Sequence, residues 1–184
     1  DLLYVTRGLC WTNPGADPIE LAPLYGDSGV EPHAINAAGV IVGRSLHAYR
    51  TLDEEGNDVV IKTSTAAAWR IGEVNEQGEL VAVDLSSGSG EFSTAFDIND
   101  CDGADIAQVV GFAKFAGGTV TWDLDCSNGL PVPAGPELLV YHGIKSRVNN
   151  LGDVSGELDN LPYRLLADGT FEELSVPRRA TAEV

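Results

Sequence analysis

A chain of 184 residues, 43% of them hydrophobic, is long enough for one sizeable core or a short array of repeated units, and too apolar for wholesale disorder. Its net charge of −17, from 28 acidic against 11 basic residues, repels a phosphate backbone and an anionic bilayer surface, which argues against nucleic-acid binding. No apolar run approaches the ~20 residues that span a bilayer, so no membrane insertion is expected.

Glycine (21 copies) and proline (9) stand as punctuation between short apolar runs, the pattern of many strands and turns. In chain order, Leu9-Cys10-Trp11 supplies an aromatic strand, Asn13-Pro14-Gly15 a turn, and residues 18–24 a closing strand. Together they make half a unit over 1–26. Cys10 reads there as a small buried hydrophobe.

A whole unit is expected over 27–88. His33-Ala34-Ile35-Asn36 leads into a turn ending at Gly39, then into Val40-Ile41-Val42-Gly43, an apolar run suited to a central strand covered on both faces. A long connection over 49–65 reaches a strand around Trp69. After the turn Glu76-Gln77-Gly78, the alternation over 79–85 predicts a closing strand with one buried face. The serine–glycine run over 86–90 reads as a flexible linker.

The next unit, over 89–142, repeats the order: Phe96-Asp97-Ile98-Asn99, a short insertion after Cys101, Gln108-Val109-Val110-Gly111, a strand around Trp122, a turn at Asn128-Gly129, and a closing strand over 137–141. The last, over 143–184, gives Arg147-Val148-Asn149, a turn ending at Gly152, Val154-Ser155-Gly156, a strand around Tyr163, the turn Asp168-Gly169, and a closing strand over 170–174. Asn128-Gly129 and Asp168-Gly169 are tight-turn signals, because both residue types tolerate the positive φ of primed turns. No segment carries a helical apolar period; residues 52–56 are too short and glycine-broken.

Four short strands recurring every roughly 40–60 residues predict an all-β fold, a repeat protein of β-propeller type. The count is about three four-stranded antiparallel blades plus a half blade in a single repeat domain. The glycine after each apolar run removes a side chain where backbones crowd, and the tryptophans each bury enough area for about 2–3 kcal/mol.

The residues that carry this pattern are Ile35-Asn36, Gly39, Gly43, Trp69 and Asp84-Leu85, then Ile98-Asn99, Gly111 and Trp122-Asp123, then Val148-Asn149, Gly152, Gly156 and Tyr163. Over residues 33–176 their order resembles the HAF repeat of bacterial extracellular proteins. The departures are the insertion after Cys101, the 49–65 connection, and Ser155 where that family prefers an apolar residue. The resemblance implies a propeller-like protein, secreted or at the cell surface, with no established reaction. An acidic composition with three lysines suits that setting. The sequence has no methionine and starts at Asp1, as expected of a processed mature form or an excised fragment.

The best candidate for site chemistry is the acidic stretch holding Asp97, Asn99, Asp100, Asp102 and Asp105, whose hard oxygens suit calcium although their spacing departs from the EF-hand template. The plainer reading of the same residues is a solvated acidic loop. Cys101 and Cys126, both in turn-rich segments of one unit, are expected to form a disulfide in an oxidising compartment. His33, His47 and His142 stand far apart with no ligand spacing, and no phosphate loop, nucleophile elbow or metalloprotease motif occurs. The expected work is therefore non-catalytic: assembly or protein–protein interaction through exposed edge strands, by self-association as a dimer or fibre or with other surface proteins. Three and a half blades fall short of the usual minimum of about four, and the tail over 176–184 adds at most one strand. The alternative is a carbohydrate- or protein-binding module using loops over 49–65 and 102–107, with Tyr49, Phe92 and Phe115 as aromatic contacts; glycans would then be partners. A hydrolase is the third reading and needs carboxylates or histidines that converge in space.

Overall fold

The computed structural model describes residues 6–86, 92–127 and 129–175. The 86–90 run, the Asn128-Gly129 turn and the tail over 176–184 thus lie wholly or partly outside the described residues. Every regular element among the described residues is a strand, and no helix is long and apolar enough to cross a membrane.

Strands β1 (Gly8–Cys10) and β2 (Ile19–Leu21) form a two-stranded sheet. Three four-stranded sheets follow, each antiparallel with its strands in chain order. The first holds β3 (Gly29–Ile35), β4 (Val40–Leu52), β5 (Asp58–Arg70) and β6 (Val83–Asp84). The second holds β7 (Ser93–Ile98), β8 (Ile106–Ala113), β9 (Gly118–Asp125) and β10 (Val132–Tyr141). The third holds β11 (Gly143–Val148), β12 (Val154–Leu158), β13 (Leu161–Leu165) and β14 (Phe171–Glu173).

One turn chemistry recurs in the connections between strands. A side-chain oxygen of Asp or Asn accepts backbone N–H groups two and four residues on, and the residue between takes a positive φ. Asp53 does this for Glu55 and Asn57, with Gly56 at φ 81°. Asn75, Asp102 and Asn149 repeat it, with Gly78, Asp105 and Gly152 in the left-handed position. Asp168 caps Thr170 in the same manner; only Gly169 turns left-handed there, where the dipeptide suggested a primed turn with both residues so.

A second device recurs in each four-stranded sheet. The first strand carries a bulge, between Pro32 and Ala34 in β3, between Ala95 and Asp97 in β7, and between Ile144 and Arg147 in β11. In the first two of these sheets the second strand meets the crowding with a glycine, whereas in the third the glycine at that position, Gly156, lies under the Tyr163 ring. A Cβ on Gly43 would overlap the carbonyl oxygen of Glu31, and one on Gly111 that of Thr94.

The sheets stack face to face. Strand β7 lies across β3, β4 and β5, and β11 lies across β7, β8 and β9. Val40, Val42, Ala66 and Ala68 meet Val109 and Trp122 of the second sheet, while Ile41, Ala67 and Trp69 on the opposite face meet Cys10 and Leu21. Val40-Ile41-Val42 is thus a central run covered on both sides, as its composition predicts. Val110 and Val140 meet Val154 and Tyr163 of the third sheet.

Two expectations change. The 49–65 connection is no loop: β4 and β5 run through it in unbroken register, from Val40 opposite Arg70 to Leu52 opposite Asp58. Pairs such as Arg50–Val60 and Thr51–Val59 extend the ladder with residues that suit strands. Strand β3 reaches only as far as Leu46, and β6 pairs only with Ala67 and Ala68, so the outer half of the hairpin is an arm with both edges open among the described residues. The run over 79–85 is also not one strand. Leu80 leaves the sheet to pair with Leu21 of β2, receiving the Ala22 N–H and donating to Glu20 O, and only Val83–Asp84 joins β5. Complete burial of Leu80 in the neighbouring core outweighs continuation of the ladder.

Candidate functional site

The acidic stretch sits at the tops of the sheets and stitches them together. Asn36 Nδ2 donates to Asn99 O at 3.1 Å, and Asn99 Nδ2 donates to Asn149 O at 3.3 Å. One residue on, the Ala37 N–H donates to Asp100 Oδ1 at 2.8 Å, and the Asp100 N–H donates to Asn150 Oδ1 at 2.9 Å. Each pair of neighbouring four-stranded sheets is therefore joined by two equivalent rungs. Asp97 adds a third link to the last sheet by accepting the Val148 N–H at 3.1 Å. The signal in the sequence was the repeated Asn-Asp and Asn-Asn dipeptides at one repeat position; read singly, they looked like ligands.

This placement separates the residues grouped above as calcium ligands. Asp97, Asn99 and Asp100 face the third sheet, and Asp102 turns inward to cap its own loop. Asp105 accepts the Cys126 N–H through its backbone carbonyl at 2.9 Å. Among the described residues no three His, Cys, Asp or Glu side chains converge to hold a metal ion. The Ala37 N–H and then the Asn150 amide hold the Asp100 carboxyl below the usual carboxylate range.

Cys101 and Cys126 are joined as a disulfide, 25 residues apart in sequence. The bond ties the loop after β7 to the end of β9, beside Asn36, whose amide also lies 3.6 Å from Cys101 Sγ. Cys10 is free and buried, and burial pushes its thiol up.

The three histidines stay apart. His33 Nδ1 lies 2.7 Å from Ala95 O, His47 Nδ1 lies 3.0 Å from Gly26 O and 3.4 Å from Asp27, and His142 packs edge-on against Tyr141. A polar cleft of about 280 Å³ at the base of the arm gathers Glu31, Arg44, His47 and Lys62. Arg44 and Glu31 neutralise one another there. Of the aromatic side chains, Tyr49 on the arm is 43% exposed and tilts against His47, Phe115 is exposed, and Phe92 is half-buried against Phe112.

The two ends of the stack differ. On the third sheet the inward side chains are Val154, Leu158, Tyr163 and Leu165, so alternation turns Ser155, Glu157 and Arg164 outward. Glu157 pairs with Lys145 at 2.9 Å and Arg164 with Asp153 at 2.6 Å. This face is polar. At the other end, Leu9 of β1 and Trp11 just after it stand exposed beside a groove of about 320 Å³ that also touches Pro32, Ile35 and Ile41.

The chain matches no protein-family model, no curated protein and no solved structure.

Proposed function

We propose that this chain is a propeller-type repeat module of the HAF kind, secreted or at the cell surface, whose work is non-catalytic assembly or protein–protein interaction through strand edges that it leaves open. What supports the blade reading is the recurrence of one unit: four antiparallel strands, a bulge met by a glycine, and a first strand laid across the previous sheet. The Cys101–Cys126 disulfide suits an oxidising compartment. One observation carries the interaction reading: in the arm formed by the outer halves of β4 and β5, Tyr49, Leu52, Val60 and Ile61 are exposed, and among the described residues no third strand pairs there. A two-stranded ribbon is marginal by itself in water and gains from a partner strand.

Light scattering on the eluting protein tests this over a wide concentration range. The expected result is a mass that rises above 19.4 kDa with concentration and falls back when Val60 and Ile61 are changed to lysine. A mass fixed at 19.4 kDa throughout overturns self-association through the arm.

A further inference from the structure

We propose that two copies of this chain join through the arm, β5 against β5, antiparallel across a twofold axis at Val60, so that Asp58 of each copy faces the partner's Lys62. The proposal rests on the reading of the arm as an assembly edge; it adds the partner, the strand and the register.

The backbone decides what this edge can pair. The Leu85 N–H bonds Ala66 O, and the Ala66 N–H goes to Ser93 Oγ, both on the side of β5 away from β4. Backbone groups alternate in direction along a strand, so Lys62, Val60 and Asp58 turn their N–H and C=O groups to that same side. Among the described residues no strand pairs with them there. Pairing about Val60 sets Asp58 opposite the partner's Lys62, Val60 opposite the partner's Val60, and Lys62 opposite the partner's Asp58. Each opposition exchanges two backbone hydrogen bonds. Two ribbons, each marginal by itself, become one four-stranded sheet.

Side chains single out this register. Moving the axis to Asp58 or to Lys62 sets like charges against each other. Moving it to Val59 or Ile61 sets a charge against Val60. The Val60 axis matches both charges, and opposite charges facing across strands are favourable where like charges are not. Asp58 and Lys62 are exposed. Lys62 already has a contact in its own chain, and the three donors of its ammonium leave it able to reach a carboxylate as well. On the opposite face the partner's Val59 meets Ile61, which lies beside Tyr49 in its own arm. A row of Tyr49, Ile61 and the partner's Val59 thus covers apolar surface that a single arm leaves in water.

The surroundings of the arm favour closure at two. Ser93 bonds Ser64 and Ala66 just beyond the overlap over 58–62, and antiparallel pairing leaves the two bodies at opposite ends of the joined ribbon. On β4, Leu46 O accepts the Ser28 N–H, so Ala48, Arg50 and Leu52 face the other edge. They offer a cation with no acid to meet it, so this edge has no self-complementary register. The interface is isologous and closed, which makes a dimer and not a fibre.

Light scattering on the full chain and on two charge-reversed variants tests this. The expected mass of the unaltered chain climbs with concentration to a plateau at twice 19.4 kDa. Asp58→Lys and Lys62→Asp each raise the dissociation constant about tenfold, since both oppositions then carry like charges. An equimolar mixture of the two variants restores the original constant, because an edge with two cations then meets an edge with two anions. A folding defect gives no such rescue. A mixture no tighter than either variant alone overturns the proposal. Variants that dimerise as well as the unaltered chain also overturn it, while loss of association on changing Val60 and Ile61 to lysine still upholds the arm. A mass that passes the dimer without a plateau overturns the closed twofold. A mass fixed at 19.4 kDa at every concentration ends both readings.

Discussion

The joint between the first and second four-stranded sheets and the joint between the second and third occupy matching strand positions, yet their chemistry differs. In the first, Val40, Val42, Ala66 and Ala68 close on Val109 and Trp122, and the buried Ser93 ties the two sheets through backbone groups, its Oγ accepting the Ala66 N–H at 2.9 Å and its carbonyl the Ser64 hydroxyl at 2.8 Å. In the second, Val110 and Val140 share the space with a hydroxyl cluster: Thr119 to Ser146 at 2.9 Å, Ser146 to Tyr163 at 3.2 Å, and Tyr163 to Thr119 at 3.3 Å. Polar atoms in the repeat aromatics fare accordingly. Trp69 Nε1 donates to Ala22 O at 2.8 Å and the Tyr163 hydroxyl bonds Ser146 and Thr119, while Trp122 Nε1 is buried with no acceptor among the described residues. Backbone rungs, bulges and glycines fix the spacing of both joints, which leaves the side chains free to vary as long as most buried polar atoms are satisfied.

The largest predicted effect probes the backbone part of that contrast. Gly111→Ala drives a Cβ into Thr94 O and to 2.9 Å from Ala95 Cα, neither of which can yield. Gly156→Ala meets the Tyr163 ring and hydroxyl at 2.7–2.8 Å, a side chain that can shift. Urea unfolding should show a loss of about 4 kcal/mol for the first and about 2 kcal/mol for the second. Equal losses would mean that side chains, not backbone, limit both joints.

Next comes the aromatic pair. Trp69→Phe forfeits the bond to Ala22 O, whereas Trp122→Phe removes a donor that has no acceptor among the described residues. Trp69→Phe should cost about 1 kcal/mol more in the same assay. A larger cost at Trp122 would show that its N–H has a partner after all.

Asp100 serves both joints, through Ala37 on one side and Asn150 on the other. Its folded-state pKa is lowered, so its contribution is fully present above the unfolded value of about 3.9 and is lost as pH falls through the folded value. Asp100→Asn should lower the melting temperature at about pH 5 and shrink the further drop on acidification. An unchanged acid limb would remove Asp100 from the account. The smallest expected effect is that of millimolar calcium, which should leave the melting temperature where it is, because the carboxylates of this stretch point to separate partners. An upward shift would restore the ligand reading.

What the sequence disclosed follows the range of the forces involved. Asn36 to Gly39 and Asn149 to Gly152 were legible as turns because an Asx cap and a positive-φ glycine are local chemistry. Val40-Ile41-Val42 was legible as a doubly covered strand because its composition leaves no polar face. The arm was not, since residues over 49–65 do pair, but with each other and beyond the reach of β3. Leu80 was misplaced because its partner, Leu21, lies in another sheet. The role of Asp100 was hidden for the same reason: its acceptor groups face Ala37 and Asn150, 63 and 50 residues away. The disulfide was found because both cysteines share one unit.

The residue just before the repeat glycine changes along the chain from Val42 to Val110 to Ser155, and with it the character of the side each sheet turns to its successor. The three sheets are thus not interchangeable bricks. Swapping the second and third by recombination would bury Arg164 against an oily neighbour and leave Val110 in water.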